Sequence, residues 1–264
     1  MPDILYKYLD KRGVDLLSSS RILASCPTKM NDPFEWLPAI RDEASPEEIR
    51  RMLKNPRLRA LALIDGKKIP NDPKELARTV SRLKNGAKGA AADRRRTIVE
   101  YVEKRCRIIC LAQCPLNTLM WAHYAKGHDG FVVGFDTAEL LRACKGSRLM
   151  EVSYSDNRPD FGSAWGEDPT GEMIDEVFRA KSRHWEYEKE YRILRLPELL
   201  QEDGGKHYQP IPTSSIRKVI IGSRPSVELE RELSDVLARP LFAHIEKLRV
   251  KLDPTKYEFV LSAA

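Results

Sequence analysis

The sequence predicts an α+β fold, with a mostly antiparallel sheet as its core and a basic helical insertion. Two observations lead to this prediction. Short apolar runs of strand length recur between turns along the chain, and one long, helical and strongly basic segment interrupts them. At 264 residues, of which 42% are hydrophobic, the chain is long enough for one substantial core. We therefore expect a single domain, residues 1–264, with the insertion at residues 45–105.

The first elements precede the insertion. Ile4–Leu9 has the composition of a strand, Val14–Ser19 can form a short helix, and Arg21–Ala24 predicts a second strand. Residues 29–35 predict a turn, because Asn and Asp side chains bond to nearby backbone and Pro33 disfavours helix at the residue before it.

The insertion begins at Ser45, which can cap a helix that has Pro46 at its first position. Three helices are predicted, one from Pro46, one over residues 72–84 and one over residues 90–105, with a glycine-containing hinge at residues 85–89. The insertion holds 17 Lys and Arg residues against 8 Asp and Glu residues, whereas the net charge of the whole chain is +6. The basic excess therefore lies in this one segment.

The remaining chain predicts strands mixed with short helices around an acidic loop at residues 156–168. Strands are predicted at residues 107–113, 130–135, 149–154, 190–196, 207–211, 217–221 and 257–261, and helices at residues 117–126, 136–144 and 227–237.

Several protein classes are disfavoured. No apolar run reaches the roughly 18 to 20 residues of a membrane span, and the start lacks the regions of a signal peptide, so we expect a cytoplasmic protein without membrane contact. Five cysteines in such a chain indicate reduced thiols. The even spacing of Cys106, Cys110 and Cys114 is compatible with a metal site, but their apolar neighbours favour buried core cysteines and no metal. Glycine-rich nucleotide loops, the serine-hydrolase elbow and the zinc-protease motif do not occur.

Two segments carry more polar and aromatic residues than their structural role requires. Residues 31–35 form a rigid turn that presents an amide and carboxylates, although a plain loop has the same chemistry. Residues 119–125 place Met120, His123 and Tyr124 on one side of a helix. A histidine there is either a catalyst or a satisfied core residue.

A third segment, residues 185–194, sets acidic side chains at strand spacing. If it is extended, Glu186, Glu188, Glu190 and Arg192 project to one face. Like charges this close raise each other's pKa, so such a row serves a cation, a proton transfer or a ligand with hydroxyl groups. The alternative is a solvated edge strand.

Four blocks of residues resemble a bacterial family. They are Tyr6-Lys7-Tyr8, Asn31-Asp32-Pro33-Phe34-Glu35, Met120-Trp121-Ala122-His123-Tyr124-Ala125 followed by Gly130-Phe131, and Trp185 with Tyr187-Glu188-Lys189-Glu190-Tyr191-Arg192. In this order they are similar to domain of unknown function 2971, a family whose label implies no activity. The family often has a Cys-Phe-Ser-like block before the tryptophan helix, where this chain has Cys110-Leu111-Ala112.

The blocks have a more distant similarity to ADP-ribosyltransferases, whose split antiparallel sheet clamps NAD. This resemblance implies a split sheet, NAD as the substrate, and Glu190 as the carboxylate that stabilises positive charge on the ribose. It further implies that Glu188 orients or deprotonates the acceptor and that Arg192 keeps both glutamates ionised. His123 is a third catalytic candidate, and the candidates for binding NAD are Tyr6, Lys7, Tyr8, Asn31, Asp32, Trp121, Tyr124 and Arg192.

The basic insertion predicts a nucleic-acid substrate or an acidic protein partner. Lys67, Lys68, Arg94, Arg95 and Arg96 can follow a phosphate backbone, although charge runs are often only solvated helical faces.

Three functions are compatible with these observations. The first is an ADP-ribosyltransferase-like, NAD-consuming effector, a toxin or phage-defence protein that acts on nucleic acid or protein. The second is a non-catalytic nucleic-acid-binding or protein-interaction module. The third and most distant is a nuclease, in which Asp32, Glu35 and the glutamate segment hold Mg²⁺.

Overall fold

The computed structural model describes residues 1–39, 90–160 and 171–264. Its strands are β1 (Ile4–Leu9), β2 (Arg21–Ala24), β3 (Arg107–Ala112), β4 (Phe131–Asp136), β5 (Leu149–Glu151), β6 (Ser153–Ser155), β7 (Ala180–Ser182), β8 (Glu190–Arg195), β9 (Gln201–Asp203), β10 (Lys206–Pro210), β11 (Ile216–Ile221), β12 (Glu246–Leu252) and β13 (Phe259–Ala263). Its α-helices are α1 (Val14–Ser19), α2 (Ala90–Arg105), α3 (Thr118–Tyr124), α4 (Thr137–Ala143), α5 (Gly171–Arg179) and α6 (Val227–Leu237). The predicted α+β class is confirmed.

The main sheet has eight strands in the order β13-β12-β11-β4-β1-β3-β8-β5. Its pairs are antiparallel except β11 and β12, which run parallel because α6 returns the chain between them. A three-stranded sheet, β2-β10-β9, and a parallel pair, β6-β7, accompany it. The prediction of a mostly antiparallel sheet is therefore confirmed.

Both faces of the central strand β4 are buried, and its side chains alternate between two clusters. Phe131, Val133 and Phe135 pack into the largest cluster, which α1, α4 and α6 cover. Val132 points the other way, toward α3 and the fully buried Trp121. A strand with both faces covered reads as a continuous apolar run, which is the pattern found here.

The sheet is split between β1 and β3. The six residues of β1 pair with β4, but β1 meets β3 through one pair, Tyr6 with Ala112. At the other end of β3 the backbone of Ile108 exchanges two hydrogen bonds of 2.8 Å with Ser25, which follows β2. The two strands therefore diverge from Tyr6 onward and leave a gap inside the sheet.

Most predicted elements lie within one or two residues of the observed ones, and the bounds predicted for β1, α1, β2, α2 and α6 match. Asn117 and Asp136 cap α3 and α4 by accepting hydrogen bonds from backbone N–H groups, as their chemistry predicts. All five cysteines are free. Residues 149–154 form two short strands rather than one, and β12, with its alternating charges, is not among the predicted strands.

The strand predicted at residues 190–196 begins at the expected residue, but residues 185–189, considered above as an extended continuation of it, are not a strand. Residues Arg183–Glu188 form a 3₁₀ helix, and the strand begins at Glu190. The local residues permit either conformation, so packing against the rest of the fold decides between them.

The insertion is described only over α2, so the predicted helices from Pro46 and over residues 72–84, together with Lys67 and Lys68, lie outside the described residues. Helix α2 packs Ile98 and Val102 against the turn that follows Met30. Among the described helices, none is long and apolar enough to cross a membrane.

Candidate active site

A cavity of about 280 Å³ opens where β1 and β3 separate. It lies beside the single β1–β3 pair and reaches the turn at residues 30–35, helix α3 and the start of β8. Its lining residues are Tyr6, Lys7, Tyr8, Ser25, Lys29, Met30, Asn31, Asp32, Glu35, Cys110, Leu111, Ala112, Met120, Tyr124, Lys181, Trp185, Glu188 and Glu190. The four sequence blocks that are far apart along the chain thus meet at one place.

Side chains satisfy backbone groups that the split leaves without strand partners. The Lys7 ammonium donates to the carbonyl oxygen of Cys110 at 3.2 Å, and the Tyr8 hydroxyl donates to that of Cys114 at 2.8 Å. An unpaired buried carbonyl is unfavourable, so these bonds stabilise the open arrangement of the strands.

The glutamate segment, residues 185–194, brings two carboxylates to the cavity through a 3₁₀ helix and a turn rather than through one continuous strand. The 3₁₀ helix ends at Lys189, whose left-handed backbone, with φ of 44°, turns the chain into β8. Glu188 and Glu190 consequently both point inward and are 3% and 4% exposed, whereas Glu186 stays on the surface.

Lys181, on the short strand β7, lies at the centre of three buried carboxylates. Its ammonium is 2.7 Å from Glu35 Oε1 and 2.8 Å from Glu190 Oε2, and it also donates to Glu188 Oε2. Its three N–H groups thus match three acceptors from two separate segments of the chain. The same ammonium lies 5.2 Å from the centre of the Trp185 ring, a cation–π contact.

Arg192 is fully buried beneath this cluster. Its Nε and Nη2 bond the two oxygens of Glu190, each at 2.8 Å, in the bidentate geometry that arginine favours. Its Nη2 also lies 3.1 Å from Glu35 Oε2, and its Nη1 donates to the carbonyl of Phe178 at 2.9 Å. Both oxygens of Glu190 are therefore held by cations.

The cluster shifts the pKa values of its acids in opposite directions. Burial raises the pKa of Glu35 and of Glu188 above the usual glutamate value, and the neighbouring cations offset this only in part. Burial acts in the same direction on Glu190, but Arg192 and Lys181 outweigh it and lower its pKa to about 2. Glu190 is thus held as a carboxylate, whereas Glu188 lies in surroundings that favour proton exchange.

Glu188 is connected to helix α3 by a hydrogen bond. The Tyr124 hydroxyl donates to Glu188 Oε1 at 2.7 Å, and the Asn31 side chain also interacts with this hydroxyl. Burial, followed by the charge of Glu188, raises the pKa of Tyr124, so the phenol keeps its proton. The hydroxyl oxygen can accept a further hydrogen bond from a ligand while it donates to Glu188.

The turn at residues 31–36 delivers two more carboxylates. Asp32 Oδ1 accepts from the backbone N–H of Phe34 at 2.9 Å, which forms the tight turn that the residue type predicts. Trp36 continues with φ of 53°, a left-handed conformation that is uncommon for a bulky residue. Glu35 is thereby directed inward and is 3% exposed, and Asp32 Oδ2 has no hydrogen-bond partner among the described residues.

Apart from the exposed Lys29, the charges around the cavity do not balance. Asp32, Glu35, Glu188 and Glu190 are four buried carboxyl groups, whereas the cations that adjoin them are Lys181, Arg192 and the half-buried Lys7. With all groups ionised, these residues carry one excess negative charge. The cavity therefore favours a ligand that is cationic or that becomes cationic during a reaction.

The structure places most of the predicted ligand residues together. Tyr6, Lys7, Tyr8, Asn31, Asp32, Tyr124, Glu188 and Glu190 line the cavity. Three candidates do not: Trp121 is fully buried and donates to the carbonyl of Pro115, Arg192 lies beneath Glu190, and His123 is exposed with its ring against Trp185 and Tyr187.

Two site residues have no role in the NAD site that the sequence resemblance implies. Lys181 stands in an ordinary Ala-Lys-Ser segment, so its position at the centre of the carboxylates follows from the fold alone. The sequence suggests Glu35 only as a metal ligand, yet it binds Lys181. Among the described residues, no group of three or more His, Cys, Asp or Glu side chains is arranged to hold a metal ion. The point at which the three glutamates converge is filled by the Lys181 ammonium.

Of the predicted nucleic-acid residues that the structure describes, Arg95 and Arg96 are exposed on α2. Arg94 belongs to the same helix, Ala90–Arg105.

Comparison with known proteins matches part of the chain to a family model. No curated protein and no solved structure matches the chain. Residues 120–193 match a family model, and this region contains Tyr124, Lys181, Glu188, Glu190 and Arg192, that is, most of the buried charged cluster. Lys7, Asp32 and Glu35 come from the part of the chain before it. Residues 120–193 of the chain are therefore similar to the family described as Protein of unknown function (DUF2971).

Proposed function

We propose that the protein is a cytoplasmic, ADP-ribosyltransferase-like enzyme that breaks the bond between nicotinamide and ribose in NAD and passes ADP-ribose to an acceptor. The observation that carries this proposal is an acidic cavity at the split of an antiparallel sheet, with Glu188 and Glu190 in its wall. A toxin or phage-defence effector acting on protein or nucleic acid is the biological role in keeping with such chemistry.

The electrostatics support this reaction. As nicotinamide leaves with the bonding electron pair, positive charge develops on the ribose, and a preorganised carboxylate stabilises that charge. Glu190 supplies a permanent negative charge, because Arg192 and Lys181 hold its pKa far below neutrality. The excess negative charge of the buried residues around the cavity also stabilises the positive charge on the ribose.

Glu188 and Tyr124 provide a route for the acceptor proton. When the acceptor attacks the ribose carbon, its proton can pass to the Tyr124 oxygen while Tyr124 gives its own proton to Glu188 Oε1, 2.7 Å away. The raised pKa of Glu188 suits a group that takes up a proton.

The cavity accommodates one end of the dinucleotide. Its volume of about 280 Å³ is at the low end for ligand sites, so it can enclose the nicotinamide riboside end and leave the rest of NAD outside. Tyr6, Tyr8 and Trp185 offer aromatic surface for the nicotinamide ring. Lys29 is an exposed cation in the lining and is available to the phosphates.

The second candidate, a non-catalytic nucleic-acid-binding or interaction module, is favoured by the exposure of Arg95 and Arg96 on α2. The two functions are compatible, because a basic surface can deliver a nucleic-acid acceptor to an enzyme.

The test is release of nicotinamide from NAD, followed by chromatography, with NAD binding measured by calorimetry. We expect Glu188→Gln to lower turnover about 100-fold or more, the usual contribution of a general base. The matched control is Glu186→Gln, since Glu186 lies on the same 3₁₀ helix but faces solvent. Wild-type protein that neither binds NAD nor releases nicotinamide, with and without protein or nucleic-acid acceptors, would overturn the proposal.

A further inference from the structure

Lys7 differs from the two buried cations at the cavity, Lys181 and Arg192. Lys181 contacts three carboxylates and Arg192 contacts two, whereas Lys7 makes one hydrogen bond, to the backbone carbonyl of Cys110, and forms no ion pair with a described residue. It lines the same cavity as Lys181, whereas Arg192 lies beneath Glu190. Glu190, whose charge acts on Lys7, is already bound to Arg192 and Lys181, so none of the described carboxylates pairs with Lys7.

This position favours the neutral amine. Burial lowers the pKa of Lys7, and the charges of Cys110 and Glu190 oppose the effect without cancelling it. A neutral amine inside a cavity is a nucleophile, and lysines desolvated in this way form imines with carbonyl compounds.

We propose that Lys7 is a carbonyl-reactive lysine, and that the cavity takes small hydroxyaldehydes, including the open-chain form of a sugar, as imines on its amine. The ligand class follows from the lining. Asn31, Asp32 and Glu188 present amide and carboxylate oxygens to hydroxyl groups, and the volume of about 280 Å³ suits a compound of a few carbons. The inference does not depend on NAD turnover.

The reaction balances without an oxidant or reductant. The lone pair of Lys7 Nζ attacks the aldehyde carbon, the new N–C bond forms, and the electrons of the C=O π bond move to oxygen. That oxygen takes up a proton, and a second proton transfer allows it to leave as water while the nitrogen loses its remaining protons and the C=N bond forms. Glu188 and Tyr124 line the same cavity and can carry these protons.

The experiment traps the imine with glyceraldehyde as the probe. Folded protein is incubated with glyceraldehyde and cyanoborohydride at neutral pH, and the reduced adduct at each lysine is quantified over time by peptide mass spectrometry. Lys251, an exposed lysine on β12, is the internal comparison. We expect Lys7 to react several-fold faster than Lys251, because a lowered pKa raises the neutral fraction of an amine at neutral pH.

Two controls make the outcome decisive. In concentrated urea the rates at Lys7 and Lys251 should become equal, because unfolding removes the cavity. Equal rates in the folded protein would refute the proposal, and so would a rate advantage for Lys7 that persists in urea, since local sequence rather than the cavity would then cause it. Neither result bears on nicotinamide release, so the two proposals fail separately.

Discussion

Glu190→Gln tests whether the buried charged cluster is required for the stability of the fold. Glutamine keeps the shape of the side chain but removes the charge that Arg192 and Lys181 bind. Two buried cations would then have to share Glu35 and Glu188, and a buried charge without adequate compensation is strongly destabilising. We therefore expect the variant to fold less stably, although the sequence resemblance assigns Glu190 only a catalytic role.

The magnitude follows from the pKa of Glu190. Its value falls from the ordinary 4.5 to about 2 in the folded protein. A difference of this size corresponds to about 3 kcal/mol in favour of the charged form, and the side chain is buried, so solvent screening does not reduce it. Because the folded pKa is the lower one, the stabilisation is complete above pH 4.5 and disappears as the pH falls through about 2.

Urea unfolding at pH 7 measures the effect directly, with Glu186→Gln as the exposed control. We expect Glu190→Gln to lose about 3 kcal/mol of unfolding free energy at pH 7, and the difference from wild type to shrink below pH 4.5. A variant as stable as wild type at pH 7 would show that the cations do not depend on Glu190. A difference that grew toward low pH would contradict the assigned sign.

Two further predictions concern Tyr124 and the basic helix. Tyr124→Phe removes the hydroxyl that donates to Glu188, and we expect it to cost about 1.5 to 3 kcal/mol of unfolding free energy in urea. Tyr187→Phe, whose ring lies beside His123, should cost less, and equal costs would show that the bond to Glu188 adds nothing. Replacing the three arginines at residues 94–96 with glutamine should weaken binding to short duplex DNA. The slope of log affinity against log salt concentration should also become shallower, by about one for each phosphate that is no longer bound. Arg239→Gln, at an exposed arginine outside α2, should change neither the affinity nor the slope. Wild-type protein that does not bind duplex DNA at low salt would remove the basis for the second of these.

The glutamate segment shows how far local sequence rules reach. Strand spacing predicts that Glu188 and Glu190 share a face, and they do. The cause is different, because a 3₁₀ helix and the left-handed Lys189 replace the first part of the strand. The 3₁₀ helix also leaves Glu186 on the surface. Strand alternation alone would place Glu186 on the same face as Glu188 and Glu190, which is incorrect for this one of the three glutamates.

Side-chain partners are less predictable than backbone elements. The neighbours of Trp121 suggest a ligand-stacking residue, yet its indole N–H is needed by the carbonyl of Pro115 and its ring fills the core. His123 is exposed beside Trp185 and Tyr187, because α3 turns that face away from the sheet. The positions of Trp121 and His123 depend on which face of α3 packs against the sheet. A helix of seven residues has too few apolar positions for its sequence to predict that face clearly.

The sequence by itself determined the α+β class, the position of most described strands and helices, and the blocks of residues that meet at the cavity. These properties depend on residue spacing, capping and turn chemistry, which act over a few neighbouring residues. Only the tertiary structure decided that β1 and β3 part after one pair, that Lys181 joins Glu35, Glu188 and Glu190, and that Lys7 is left without a carboxylate partner among the described residues. Charges far apart in sequence interact strongly only once folding has removed the water between them.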